Sequence, residues 1–312
     1  MRILLTGGAG FIGSHIQDRL IELGHEVAIL DNLRSGKKEN LNPKSKFYEV
    51  DVCNKEALEQ ALMDFKPEAI HHLAAQNEVP FSMEHPFEDQ NMNIVGMMNL
   101  MEASHKAGVK KIIYSNTGGA YYGDVTEADL PLVETFPVLK PTSFYGVSKM
   151  CAEQYMRLYG RLYGISWVAL RYANVYGPRQ DGNKEAGVVA IFTSRMLKGE
   201  PITINGSGEH TRDYIYVGDV VEANVKALEF DKDEAFNIAT GVRTSNKQVF
   251  ETIRDALGIQ MEATYGPERP GDALHNCLSP QKAKEMMGWE AQNDFKTGVQ
   301  KTVEYYRSKV TS

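Results

Sequence analysis

Apolar residues come in short runs separated by stretches of helical period through the first half of the chain. Residues 3–6 predict a buried strand and 12–23 a helix ended by Gly24. A second strand over 26–30 ends at Asp31. A third over 47–50 ends at Asp51, with 55–65 as its crossover helix. Residues 69–73 predict a fourth strand, 91–107 a long helix closed by Gly108, and 111–115 a fifth strand. A long helix over 143–163 and a sixth strand over 166–170 complete the series. Apolar strands joined by helix-length segments predict an α/β fold built on a doubly wound parallel sheet. Ligands of such sheets sit at the carboxyl ends of the strands, and Asp31, Asp51, Ala74, Ser115 and Arg171 fall there.

Beyond residue 171 the rhythm loosens. A helix is expected between 185 and 198, another over 217–228, a strand over 235–238, and three short helices within 244–312 around a loop at 266–272. The division that follows is a dinucleotide-binding domain over 1–170, to which 217–238 return, and a smaller C-terminal α/β substrate-binding lobe over 171–312.

Composition adds mainly exclusions. The chain has 312 residues, 42% hydrophobic and 24% charged, with net charge −7 and no basic run. No nucleic-acid partner is indicated. No apolar run approaches the ~20 residues that span a bilayer, so no membrane partner is expected. The N-terminus lacks signal-peptide shape. Cys53, Cys151 and Cys277 are odd in number and far apart, which suggests neither disulfides nor a metal cluster. A cytoplasmic protein without a metal is the expectation.

The chemistry begins at the first turn. Gly7, Gly10 and Gly13 follow the first strand at three-residue spacing and open a helix. Glycine permits a tight turn and close approach to a pyrophosphate, whose charge the helix N-terminus favours. Asp31 ends the second strand 18 residues beyond Gly13. A carboxylate there accepts from both adenosine-ribose hydroxyls and repels a 2′-phosphate, which favours NAD over NADP. Asp31 would also suit a loop cap. Leu73, Ala74 and Ala75 end the fourth strand in small or apolar residues that leave room for a cofactor, whereas His71 and His72 read as packing residues.

Tyr145 and Lys149 stand four apart near the start of a helix and so share a face. A tyrosine of pKa ~10 is a poor base at neutral pH, and a nearby ammonium is expected to lower it. The pair would remove a hydroxyl proton while hydride leaves the same carbon, with Thr117 sharing the reacting oxygen. Tyr305 and Lys309 repeat the spacing but follow no strand or hydroxyl cluster.

Together the segments at 6–15, 31–33, 72–76, 115–117, 145–149, 171–174, 212–214 and 269–272 resemble the extended short-chain dehydrogenase/reductase family, most closely its NAD-dependent UDP-sugar 4-epimerases. The resemblance spans nearly the whole chain and implies a Rossmann-type domain, NAD, and a UDP-sugar substrate. It implies catalysis by Thr117, Tyr145 and Lys149. It places Gly7, Gly10, Phe11, Ile12, Gly13, Asp31, Asn32, Asp51, Val52, Leu73, Ala74, Ala75, Asn93, Ser115, Tyr145, Lys149 and Tyr172 at the cofactor. It places Thr117, Asn174, Val188, Asn205, Arg212, Arg269, Asp272 and Asn276 at the substrate, with Asn174, Arg212 and Arg269 on the diphosphate. Relatives also pair the helices over 91–107 and 143–163 across a dimer axis, which implies a homodimer.

The rival reactions are sugar-nucleotide 4,6-dehydration and UDP-glucuronate decarboxylation. Those relatives carry acidic residues directly after the threonine, where this chain has Gly118 and Gly119. A catalytically idle NAD-binding regulator is a third reading, which the intact Thr117, Tyr145 and Lys149 oppose. Asn205 stands where relatives often place an aromatic near the uracil. Asn276 stands where a bulky tyrosine would exclude N-acetyl groups, so acceptance of UDP-N-acetylglucosamine/N-acetylgalactosamine alongside UDP-glucose/galactose is expected.

Overall fold

Strand β1 (Arg2–Thr6) runs through the middle of a seven-stranded sheet, and its residues Ile3, Leu4 and Leu5 have no exposed surface. Helices cover both faces, which explains a continuous apolar run instead of an alternating one. The chain continues through α1 (Phe11–Glu22), β2 (Glu26–Asp31), β3 (Lys46–Glu49), α2 (Lys55–Phe65) and β4 (Ala69–His72). After α3 (Val79–Glu84), α4 (Pro86–Gln90) and α5 (Gly96–Ala107) come β5 (Lys111–Thr117), α6 (Phe144–Tyr163) and β6 (Ser166–Tyr172). Next are β7 (Asn174–Tyr176), α7 (Val188–Leu197), β8 (Thr203–Asn205), β9 (Thr211–Tyr216), α8 (Val217–Glu229) and β10 (Glu234–Ile238). The last elements are β11 (Arg243–Ser245), α9 (Asn246–Leu257), β12 (Thr264–Gly266), α10 (Gln281–Met287) and α11 (Phe295–Val310). This computed structural model describes residues 1–138, 140–182, 187–268 and 274–310.

The sheet order is β10-β6-β5-β4-β1-β2-β3, and β1 pairs in parallel with both β2 and β4. Growth of the sheet therefore reverses beside the end of β1. That is the switch point where a Rossmann-type α/β sheet opens a crevice for its ligand. One face packs Leu58, Leu62, Met97, Leu100, Met101 and Met156 against the strands. The other packs Ile16 and Leu20 of α1 and Val221 of α8 against Ile3, Leu5 and Ile29.

Two compact units emerge. The first holds Met1–Gly123, Pro137–Arg171 and Val221–Phe236; the second holds Asp124–Phe136, Tyr172–Val220 and the chain from Asn237 onward. Residues 124–136 join the second unit through local bonds that their sequence does not advertise: Leu132 bridges to Leu278, and Asn237 Nδ2 donates to Leu132 O at 2.9 Å. The second unit contains a β11-β9-β7 sheet and a β12-β8 pair, with Phe192, Phe250, Ile253, Val299 and Val303 in its core.

The helix expected between 185 and 198 is Val188–Leu197. One local feature departs from the sequence-based expectation. The long helix expected over 91–107 begins with a wide π turn, Asn91–Val95, placed between α4 and α5. Among the described residues no helix is long and apolar enough to cross a membrane, and no cluster of His, Cys, Asp or Glu is arranged to hold a metal ion.

Candidate active site

The glycine turn is a cradle fixed by backbone packing. Gly7 has φ +70°, and a Cβ there would lie 2.7 Å from Ala74 N. A Cβ on Gly13 would lie 2.4 Å from Gly7 O, so the helix packs against the turn only because that position has no side chain. At Gly10 a Cβ would meet only Gly7 O, at 3.2 Å, and its other side is open. No side chain caps the start of α1, and its first turn holds no acidic residue. The orphan amides around Phe11, Ile12 and Gly13 therefore fit a pyrophosphate. Gly13→Ala is expected to cost about 1–3 kcal/mol and to lower the nucleotide retained after gel filtration. Urea unfolding and assay of nucleotide released on denaturation measure both, and wild-type values in each would contradict this packing.

Asp31 serves as loop cap at the end of β2. Its Oδ2 accepts from Ala9 N at 3.0 Å and its Oδ1 from Leu33 N at 2.8 Å. Burial raises its carboxyl pKa, and these two amides oppose that. Each oxygen keeps a lone pair, enough for two ribose hydroxyls. Arg34, the nearby cation, sits over the Phe81 ring at 5.1 Å, donates to Met92 Sδ at 3.1 Å and faces Glu88 at 4.0 Å. Asn32 Nδ2 donates to Asp51 Oδ2 at 2.7 Å, while Asp51 Oδ1 accepts from Cys53 N at 2.8 Å. Leu73, Ala74 and Ala75 are partly exposed where β4 ends, so the crevice keeps an open floor. The chain thus fits a dinucleotide carrying a free ribose hydroxyl pair.

Thr117, Tyr145 and Lys149 come together at the end of β5 and the start of α6. Ser143 caps that helix by accepting from Gly146 N at 3.1 Å, which fixes the first turn carrying Tyr145. The Tyr145 phenol lies beside the Thr117 side chain, which favours its ionised form, while Thr117 Oγ1 accepts from Ala120 N at 3.1 Å. Lys149 is 3% exposed, its Nζ donates to Ser115 O at 2.7 Å, and it lies 4.3 Å from the Tyr114 ring centre. Burial pushes Lys149 down to about 7, against the charges of Asp89 and Glu153. Burial also pushes the Tyr145 phenol up to about 12, outweighing the nearby Thr117 side chain, which lowers it. This corrects the expectation of a phenol lowered by Lys149: the ammonium is aimed at a backbone carbonyl and a ring, and desolvation dominates.

A buried ion network stands behind Thr117. Asn116 Oδ1 accepts from Thr117 N at 2.8 Å, and Asn116 Nδ2 donates to Glu153 Oε2 at 2.7 Å. Glu153 also accepts from Arg171 Nη2 at 2.8 Å and Nε at 3.1 Å, and from Arg157 Nη2 at 2.7 Å. Arg171 also donates to the Tyr121 and Tyr122 hydroxyls at 2.8 and 3.1 Å. The arginine at the end of β6 is therefore committed to the protein interior and does not offer a ligand fork. Sequence reasoning did not single out Glu153; its place one helical turn after Lys149 is the available signal.

Two further residues expected at the cofactor have buried side chains. Val52 is 4% exposed and packs in the core, and its carbonyl accepts from Asn99 Nδ2 at 3.1 Å. Asn93 is also buried: its Nδ2 reaches Gln76 O, Asp89 Oδ1 and Ser148 Oγ at 3.0–3.1 Å, and its Oδ1 accepts from Gln76 N at 2.9 Å. Its side chain clamps the loop after β4 onto α6, with no donor left for a ligand. His72 shares a 2.7 Å hydrogen bond with Thr6 Oγ1 and is held neutral by burial, down to about 3, as fits a packing residue.

In the second unit Tyr172 is 6% exposed, and Asn174 Nδ2 donates to Asp213 O at 3.1 Å. Arg212 Nη1 and Asn276 N both donate to Thr211 O, at 3.0 and 3.1 Å, so these two expected substrate residues converge on one carbonyl. Val188 begins α7 and Asn205 ends β8. Arg269 and Asp272 lie outside the described residues.

Residues 3–239 match the NAD dependent epimerase/dehydratase family. UDP-glucose 4-epimerase of Mycolicibacterium smegmatis is 42% identical, over 99% of this chain and 99% of that protein. The crystal structure of UDP-glucose 4-epimerase from Thermotoga maritima with UDP-glucose is 48% identical with a TM-score of 0.97, covering 99% of this chain and 100% of that one. The Thermus thermophilus UDP-glucose 4-epimerase, solved in complex with NAD, is 45% identical with a TM-score of 0.93, covering 98% and 99%. With that match over most of its length, and relatives of this identity along all of it, the chain belongs to the NAD dependent epimerase/dehydratase family.

Proposed function

We propose that this protein interconverts the C4 epimers of a UDP-hexose through a transient 4-keto sugar, with NAD as its resident cofactor. The observation that carries the reading is the convergence of Tyr145 on Thr117, with Lys149 buried in the next turn of the same helix. When bound, NAD supplies a hydride acceptor for the sugar C4 and a positive charge that favours a phenolate. Tyr145 Oη takes the proton from the C4 hydroxyl and returns it after the keto sugar has turned over. Thr117 Oγ1 hydrogen-bonds the reacting oxygen and keeps it on that proton path. Lys149, held by Ser115 O, fixes the polar side of the site. Arg212 and Asn174 take the diphosphate, for which a guanidinium fork is suited.

Elimination is disfavoured because Gly118 and Gly119, directly after Thr117, carry no side chain to act as the acid and base that it needs. Pure protein given UDP-glucose, UDP-N-acetylglucosamine or UDP-glucuronate without added NAD tests the reading. A C4 epimer is the expected product; a released 4-keto sugar or carbon dioxide alone would overturn it.

Both plain and N-acetylated UDP-hexoses are substrates in this reading, because Asn276 is small where a tyrosine would fill the space beside C2. Asn276→Tyr is expected to lower kcat/KM for the N-acetylated sugar about tenfold relative to the plain one, the size of steric discrimination by a pocket wall. Equal turnover of both sugars by the variant would contradict it.

The protein acts as a homodimer through the helices over 91–107 and 143–163. Cys151, Tyr155, Leu158 and Leu162 form one stripe on α6, with Leu158 and Leu162 40% and 60% exposed. Val95, Met98 and His105 line an outward stripe across the π turn and α5. Paired stripes at this spacing suit helix-to-helix packing. Sedimentation at micromolar concentration is expected to give a dimer and Leu158→Glu/Leu162→Glu a monomer; a wild-type monomer would refute the pairing.

A further inference from the structure

Arg34 stands just beyond the end of β2, and the side chains it meets follow β4. Its guanidinium carbon lies 5.1 Å from the centre of the Phe81 ring on α3, and its Nη1 donates to Met92 Sδ at 3.1 Å in the π turn. Its Nη2 faces Glu88 Oε2 on α4 at 4.0 Å. β2 and β4 pair with β1 on its two sides. One side chain therefore joins the two banks of the crevice at the carboxyl end of β1, where the glycine turn leaves the sheet.

Both banks are built to hold it. On the near side Leu33 has φ +59°, a conformation that non-glycine residues seldom adopt. It is fixed there by Leu33 N donating to Asp31 Oδ1 at 2.8 Å and Arg34 N to Asn32 Oδ1 at 3.0 Å. Lys37 N donates to Ala9 O at 3.0 Å, which ties the end of this loop to the glycine turn. On the other side the Phe81 and His85 ring centres lie 4.6 Å apart, and Glu88 Oε1 faces His85 Nδ1 at 3.5 Å, so α3 and α4 brace one another. An arginine in this loop could otherwise serve a 2′-phosphate. Here its fork is turned to the opposite bank. Its contacts are each of the modest, reversible kind made by half-exposed side chains.

We propose that Arg34 is a strap across the cofactor crevice that slows the release of NAD. This rests on the reading of NAD as a resident cofactor, held at the glycine turn and Asp31. A nucleotide regenerated within each turnover serves many turnovers, so a slow exit preserves activity. Opening the strap breaks the contacts to Phe81, Met92 and Glu88 and leaves the sheet and the glycine turn as they are.

The test loads the full chain with radiolabelled NAD, adds excess unlabelled NAD and follows the label that stays with the protein on gel filtration. Arg34→Ala is expected to release the label about fivefold faster than wild type, the scale of one exposed cation–π contact with its ion pair. Phe81→Leu, on the opposite bank, should also speed release, and the double variant should be no faster than Arg34→Ala alone. A change in Arg34→Ala below about twofold would overturn the proposal. So would single effects that multiply in the double variant, because each side chain would then act on the nucleotide by itself. If the wild type retains no NAD, the resident-cofactor reading fails separately, and amide hydrogen exchange over residues 79–92 decides the strap. Faster exchange there in Arg34→Ala supports it; exchange equal to wild type overturns it.

Discussion

Tyr145→Phe is expected to lower kcat by about 10²–10⁴-fold, the usual contribution of a positioned proton-transfer group, while leaving the protein folded and loaded with NAD. The phenol hydroxyl makes no hydrogen bond of ordinary length within the described residues, so its loss removes little stability. The glycine cradle and Asp31 lie on other elements and are untouched. Turnover of UDP-galactose and the nucleotide released on denaturation should therefore separate: the first nearly lost, the second unchanged. More than a tenth of wild-type turnover would remove Tyr145 from the proton path. Loss of NAD along with activity would show that its hydroxyl serves binding instead.

Glu153→Gln is expected to cost about 3–5 kcal/mol of stability, the consequence of leaving a buried charge without its partner. Arg171 is 3% exposed, so its charge depends on neighbouring side chains. The substitution also loosens the Asn116 link that fixes Thr117, so kcat should fall in whatever fraction remains folded. Burial raises the Glu153 carboxyl, but Arg171 and Arg157 more than offset this and leave it below its ordinary value. A depressed carboxyl contributes stability that is present above its unfolded pKa of ~4.3 and is lost as pH falls through the folded value. Urea unfolding at neutral and acid pH checks both statements. A difference from wild type below about 1 kcal/mol at neutral pH would mean that the network behaves like a surface ion pair.

The first unit was the more legible part of this chain, and the reason is periodicity. β1, β2, β4, β5 and β6 are apolar runs bounded by turn residues, and α1, α2 and α6 each bury one stripe, so length and pattern agree. In the second unit β7, β8, β11 and β12 have three residues each. Such strands are too short to display a period, and their pairing is decided by partners far along the chain. The π turn was hidden for the opposite reason, since Asn91–Val95 continues a helical pattern that conceals its wider hydrogen bonding.

Within the site, residues whose role is set by backbone were easiest to find. Gly7 and Gly13 are required by contacts under 3 Å, and glycine spacing shows in the sequence. Roles set by burial were not legible. Arg171 ends a strand as a ligand-binding arginine would, yet Glu153 neutralises it from α6. The Asn93 side chain clamps Ser148, and the Val52 side chain packs in the core. The direction of the Tyr145 shift depends on desolvation, which no i,i+4 spacing reports.

The most direct test of the central claim gives the purified protein UDP-galactose carrying deuterium at C4, with no NAD added, and follows the sugar by NMR. The expected result is UDP-glucose with the deuterium still at C4, because hydrogen leaves and returns at that carbon without passing through solvent. Formation of the epimer with the label exchanged into water, or no epimer at all, would contradict the account.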